Sequence, residues 1–136
     1  MTILSLAGRS ILIIEDEALI ALDLARAFET AGATVTTTST LHHARLLVQR
    51  DSLSAAVIDH ALVDGDTQSI CRYLKRRGVP FVTYSGFQDP DLGDCCGVYI
   101  SKPNTPEFVV GVIAELLRPP ETSGEFVDGF PPLTDD

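Results

Sequence analysis

Apolar positions along the 136-residue chain fall into two alternating patterns. Five short runs, at 10–14, 33–37, 55–58, 80–84 and 98–101, are each four or five residues long and rich in Val, Ile or Thr. Most lack polar alternation, which is how strands covered on both faces read, and this predicts a parallel sheet. Amphipathic stretches predict helices over 17–31, 41–50, 67–77 and 107–117. The regular succession of strand and helix predicts an open, doubly wound α/β domain with a five-stranded sheet.

Local signals mark the ends of these elements. Gly32 and Gly78 stand where a left-handed cap closes a helix, and Lys75, Arg76 and Arg77 place positive charge in a last turn. Thr105, Pro106 and Glu107 read as N-cap, first-turn proline and dipole-matched acid. Only residues 86–98 separate the fourth run from the fifth, and they include Pro90, Gly93 and Gly97. A helix there is expected to be short or irregular. The domain is expected to span 1–117. Residues 118–136 hold four of the eight prolines and five acids against one Arg, the composition of a disordered tail. Phe126, Phe130 and Leu133 are spaced like docking anchors, so a tail that binds something is the sharper alternative.

Charge narrows the function classes. Ten Lys and Arg against nineteen Asp and Glu give a net charge of −9, which repels nucleic-acid backbones and anionic lipid surfaces. No apolar run reaches the roughly 20 residues of a spanning helix. Three cysteines, two of them the adjacent pair Cys95 and Cys96, form no disulfide framework and no C-x-x-C motif. The expectation is a soluble cytoplasmic domain without direct nucleic-acid or membrane contact.

In an open parallel sheet, sites form beyond the carboxyl ends of the strands. Five residues stand there: Glu15 and Asp16 after the first strand, Asp59 after the third, Ser85 after the fourth and Lys102 after the fifth. Clustered carboxylates ionise together only with a cation nearby, and Mg²⁺ with its preference for oxygen ligands meets that need. Lys102 adds a point-like positive charge. Such a set suits a carboxylate nucleophile attacking a phosphoryl group, with metal and ammonium neutralising the charge of the transferring oxygens.

Taken in order, Ile11-Leu12-Ile13-Ile14-Glu15-Asp16-Glu17, Ala56-Val57-Ile58-Asp59, Asp64-Gly65, Val82-Thr83-Tyr84-Ser85-Gly86 and Tyr99-Ile100-Ser101-Lys102-Pro103 resemble the receiver domain of two-component response regulators. The resemblance covers about 10–117. It implies a flavodoxin-like sheet of order 2-1-3-4-5 and a role for each matching residue. Asp59 would be the phosphoacceptor and Asp16 a direct Mg²⁺ ligand. Glu15 would act on the metal through water, and the backbone carbonyl of Ala61 would be a further ligand. Ser85 would be the switch hydroxyl, Lys102 the phosphoryl partner, and Tyr99 the aromatic that moves inward when the hydroxyl engages. The implied partners are a sensor histidine kinase or histidine phosphotransfer protein and a downstream protein target, with homodimerisation left open. The expected activity is Mg²⁺-dependent modification of the chain itself, as a stand-alone signalling module and not as an enzyme with turnover. The alternative within this class is a phosphorelay intermediate, a phosphate sink or an unphosphorylated adaptor.

The chain departs from the family pattern in several places. Glu15 replaces the commoner Asp, and Val63 stands where the loop usually has proline, which predicts a looser loop. Ala61 and Phe87 leave no polar side chain to align an attacking water two positions beyond Asp59 and Ser85, which predicts slow loss of the phosphoryl group. Two other classes fit less well. An aspartyl-phosphate phosphatase wants a second acid at position 61, and a flavin domain wants a phosphate loop where Glu15, Asp16 and Glu17 repel phosphate. His60, His42 and His43 read as surface positions. On the first helix, Leu19 and Leu22 fall in the polar arc, as scattered surface leucines or as a docking patch beside the acids.

Overall fold

The structure, a computed structural model, describes residues 5–86 and 97–119. The expected helical segment within 86–98, with Phe87 and the Cys95–Cys96 pair, lies almost wholly outside them, as do Phe126, Phe130 and Leu133.

The elements run β1 (Ser10–Ile14), α1 (Ala18–Thr30), β2 (Thr34–Thr38), α2 (Leu41–Leu47), β3 (Ala55–Ile58), β4 (Ala61–Leu62), β5 (Gly65–Asp66), α3 (Gln68–Arg77), β6 (Phe81–Ser85), β7 (Val98–Ser101) and α4 (Pro106–Leu117). Five strands form one parallel sheet in the order β2-β1-β3-β6-β7, which is 2-1-3-4-5 among the sheet's own strands. The expected doubly wound topology is therefore the one observed.

Residue choice explains the layering. The central strands β1, β3 and β6 are buried almost throughout, whereas β2, rich in threonine, lies at an edge and is half-exposed. Alternation sends Ile11, Ile13, Val57, Val82, Tyr84 and Ile100 toward α1 and α4, where Leu24, Phe28, Val109 and Ile113 complete one core. Leu12, Ile14, Ala56, Ile58 and Phe81 face α2 and α3 and pack with Leu41, Ala44, Ile70 and Leu74. Helix ends follow the local signals. Gly32 and Gly78 have φ of 101° and 73°, and Thr105 accepts a hydrogen bond from the Phe108 N–H at 3.1 Å.

One element was not expected. The segment after Asp59 folds into the small antiparallel hairpin β4–β5, with Val63 exposed at its tip. Asp64, beside Val63, holds this hairpin in place. Its Oδ1 accepts from the Leu41 N–H at 2.8 Å and its Oδ2 from the His42 N–H at 3.2 Å, tying the hairpin to the start of α2. Those bonds to the charged form hold the Asp64 carboxyl below the usual range. The loop is thus anchored, against the looseness that Val63 suggests. Helix α2 ends at Leu47, short of the expected residue 50, because Val48 closes it and the chain turns at once toward β3.

Thr83, fully buried in the middle of β6, finds no hydrogen-bond partner for its hydroxyl among the described residues. A buried unsatisfied hydroxyl costs about 1–3 kcal/mol. Thr83→Val, nearly the same shape, should therefore raise stability by about 1 kcal/mol in urea denaturation. A loss of stability would mean that the hydroxyl has a partner after all.

Candidate functional site

The sheet's hydrogen bonding continues past the strand ends and places the candidate residues. Ile14 lies beside Ile58 in the β1–β3 register, and the Asp59 N–H donates to the Ile14 carbonyl at 2.9 Å. Glu15 N–H donates to the Thr38 carbonyl at 2.9 Å, so Glu15 and Asp59 leave adjacent strands side by side. At the other edge Ser85 pairs with Ser101, and the Lys102 N–H donates to the Ser85 carbonyl at 2.8 Å. The backbone thus places Lys102 on the same rim as the acids.

Four of the expected residues converge. One carboxylate oxygen from each of Glu15, Asp16 and Asp59 lies within 4.8 Å of the others. Lys102 Nζ stands 2.9 Å from Glu15 Oε1 and 3.5 Å from Asp59 Oδ2. The other Glu15 oxygen accepts from the Glu17 N–H at 3.1 Å, at the point where α1 begins. Glu15 is 3% exposed and Asp59 8%. Ser85 is buried at the end of β6, and the half-buried Tyr99 donates its hydroxyl to the Ser85 carbonyl at 3.2 Å. Ala61 opens β4, two residues beyond Asp59.

Burial dominates the electrostatics. It pushes the Glu15 carboxyl up to about 7, with the Asp59 charge adding to the rise and the Lys102 and Glu17 hydrogen bonds only partly opposing it. Asp59 is raised for the same first reason, against the Lys102 charge that lowers it. Burial alone would lower Lys102, but its hydrogen bond to Glu15 and the two carboxylate charges hold it above its ordinary value. Among the described residues, one ammonium therefore stands against three acids. The donor set is all carboxylate oxygen, hard and under-compensated, which fits Mg²⁺ or Ca²⁺ and not a soft metal. Glu15, Asp16 and Asp59 are the side chains that would hold it.

Sequence reasoning missed three residues. Thr67 is buried, and its hydroxyl bonds the carbonyls of Asp59 at 2.7 Å and His60 at 2.9 Å, fixing the backbone where Asp59 leaves its strand. Its place just before α3 was the available signal, but an N-cap reading turns that hydroxyl toward its own helix, and it makes no such cap. Asp64 and Tyr84 stand in the matching motifs, which give neither of them a role. On α1, Leu19 and Leu22 are 76% and 45% exposed, and Leu22 lines a groove that also includes Glu15 and Asp16. His42 and His43 are exposed at the start of α2, as expected, whereas His60 is half-buried.

The raised acids set a pH dependence. A carboxyl whose folded pKa lies above its unfolded value binds its proton more tightly in the native state, so its contribution is complete below the unfolded value and lost as pH rises through the folded one. For Glu15 that window runs from 4.5 to about 7. Without divalent metal, stability should fall by roughly 1–3 kcal/mol between pH 5 and 8. Saturating Mg²⁺ should flatten the slope, and urea titrations at both pH values measure it. A metal-free slope of zero would remove the assigned protonation.

No family model matches the chain, and no curated protein does. Solved structures do resemble it. A CheY-like response regulator receiver domain from Methanospirillum hungatei JF-1 is 21% identical with a TM-score of 0.74, over 82% of this chain and 94% of that one. The receiver domain of a sensor histidine kinase from Pseudomonas aeruginosa PAO1, described with magnesium coordinated in its active site cleft, is 22% identical with a TM-score of 0.71, over 82% and 98%. A response regulator from Burkholderia pseudomallei, described with a phosphorylated aspartic acid and a calcium ion, is 18% identical with a TM-score of 0.70, over 80% and 70%. Sheet order, strand-end acids and these likenesses together give the chain the fold of a response-regulator receiver domain.

Proposed function

We propose that the chain accepts a phosphoryl group on Asp59 from a phosphohistidine of a sensor kinase or phosphotransfer protein, and signals through protein contacts. The observation that carries this reading is the Lys102 ammonium placed between the buried Glu15 and Asp59, with the half-buried Asp16 beside them. In the reaction an Asp59 carboxylate oxygen forms a bond to phosphorus while the phosphorus–nitrogen bond of the donor breaks, and the imidazole leaves. Mg²⁺ held by Asp16, Asp59 and the Ala61 carbonyl, with Glu15 acting through water, would supply charge neutralisation at the transferring oxygens. Lys102 follows the new charge on the phosphoryl group, and the Ser85 hydroxyl bonds one of its oxygens. Tyr99, already linked to the Ser85 carbonyl, carries the change outward.

The chain catalyses only its own modification and release, so it acts as a signalling module. The magnesium and the phosphorylated aspartate described for two structural neighbours support this reading. The exposed Leu19 and Leu22, beside the groove that reaches the acids, supply a docking patch for the donor protein.

Incubation with Mg²⁺ and acetyl phosphate should add one phosphoryl group by intact-mass measurement, and Asp59→Asn should abolish the adduct. Lys102→Ala should slow labelling by roughly 10²–10³-fold, the usual effect of deleting one group that stabilises developing charge. With no polar side chain at position 61, the adduct should persist beyond minutes at neutral pH; decay within seconds would contradict that. An unlabelled wild type would end the proposal.

Leu19→Asp tests the docking patch. It should slow transfer from the donor protein by roughly tenfold, equivalent to about 1.4 kcal/mol, while labelling by acetyl phosphate stays at the wild-type rate. Equal rates with both donors would remove the patch.

A further inference from the structure

Tyr84 stands one residue before Ser85, and strand alternation turns its side chain to the opposite face of β6, toward α1 and α4. It is 5% exposed. Both ends of the side chain are used. The hydroxyl donates to the Asn104 carbonyl and accepts from the Asn104 N–H, each at 3.0 Å. The ring centroid lies 5.5 Å from Lys102 Nζ, within the roughly 6 Å over which a cation is held by the negative face of an aromatic ring.

Lys102 needs such support. Its backbone is fixed by the bond to Ser85, but an ammonium on a four-carbon stem has many rotamers, and immobilising them is costly. The next residue, Pro103, has no N–H to anchor the loop. The first N–H after Lys102 is that of Asn104, and Tyr84 takes it. One side chain therefore secures the loop that carries the lysine and also lies against its charged end.

We propose that Tyr84 is a positioning residue for Lys102: it anchors the β7–α4 loop at Asn104 and seats the ammonium against its ring, so that the charge is already aimed at Asp59 when phosphoryl transfer begins. The proposal rests on the reading of Asp59 as phosphoacceptor. Tyr84 touches no reacting atom and acts through Lys102 alone.

The experiment uses the full chain with Mg²⁺ and acetyl phosphate, comparing Tyr84→Leu and Tyr84→Phe in the wild-type and Lys102→Ala backgrounds. Tyr84→Leu should slow labelling about tenfold in the wild type and have no further effect once Lys102 is gone, because two residues acting as one unit are not additive. Tyr84→Phe, which keeps the ring but loses both bonds to Asn104, should recover only part of the rate. Equal slowing in both backgrounds, or none in either, overturns the proposal.

A second measurement is independent of phosphoryl chemistry. A ring over the end of the lysine shifts the Lys102 Cε methylene signal upfield in the NMR spectrum, and Tyr84→Phe should keep that shift while Tyr84→Leu loses it. If the wild type takes no label at all, the phosphoacceptor reading fails, and this signal still decides whether Tyr84 seats Lys102. A Lys102 methylene signal identical in wild type and Tyr84→Leu overturns the seat.

Discussion

Among the described residues, three clustered carboxylates share the carboxyl edge of the sheet with one ammonium, and two of those acids are buried. That imbalance governs the rest of the site. Charges removed from water must be paired, protonated or joined by a cation. In this chain all three responses are visible or implied. Lys102 pairs with Glu15 and Asp59, burial raises both carboxyls toward protonation, and the oxygen donors are arranged for a hard dication.

The parallel sheet creates this crowding without any special motif. Strands that all point one way end on one rim, and the residues following them meet there whatever their separation along the chain. Two apolar layers hold the rim in place, with α1 and α4 over one face and α2 and α3 over the other. Burial of β1, β3 and β6 on both sides makes a one-residue slip in register costly, since a slip would carry every side chain to the other face.

A further set of contacts refines the rim after the sheet has formed it. Thr67 bonds the carbonyls of Asp59 and His60, Asp64 ties the β4–β5 hairpin to α2, and Tyr84 binds Asn104 beyond Lys102. Each is a side chain holding backbone on a different element. Loops at such a site bear the chemistry, and these bonds limit how far the loops wander. Together they make the positions of Asp59 and Lys102 depend on residues outside the acid cluster.

Much of this was legible from the chain alone. Continuous apolar runs such as Ile11 to Ile14 announced strands covered on both faces, and the glycines at 32 and 78 announced helix ends, because both signals depend only on local backbone and side-chain chemistry. Glu15, Asp16, Asp59 and Lys102 could be placed on one rim because topology follows from the order of elements. The hairpin at 61–66 and the roles of Thr67, Asp64 and Tyr84 could not. Asp64 lies 23 residues from Leu41, and Tyr84 lies 20 from Asn104. Periodicity reports which face a residue occupies, but a side-chain bond between distant elements needs the register, the loop path and the rotamer together. The order of residues thus determined the sheet and the chemical inventory of its edge, while the packed three-dimensional arrangement decided which side chains hold that inventory in place, since those bonds exist only once both partners have been brought within hydrogen-bonding distance.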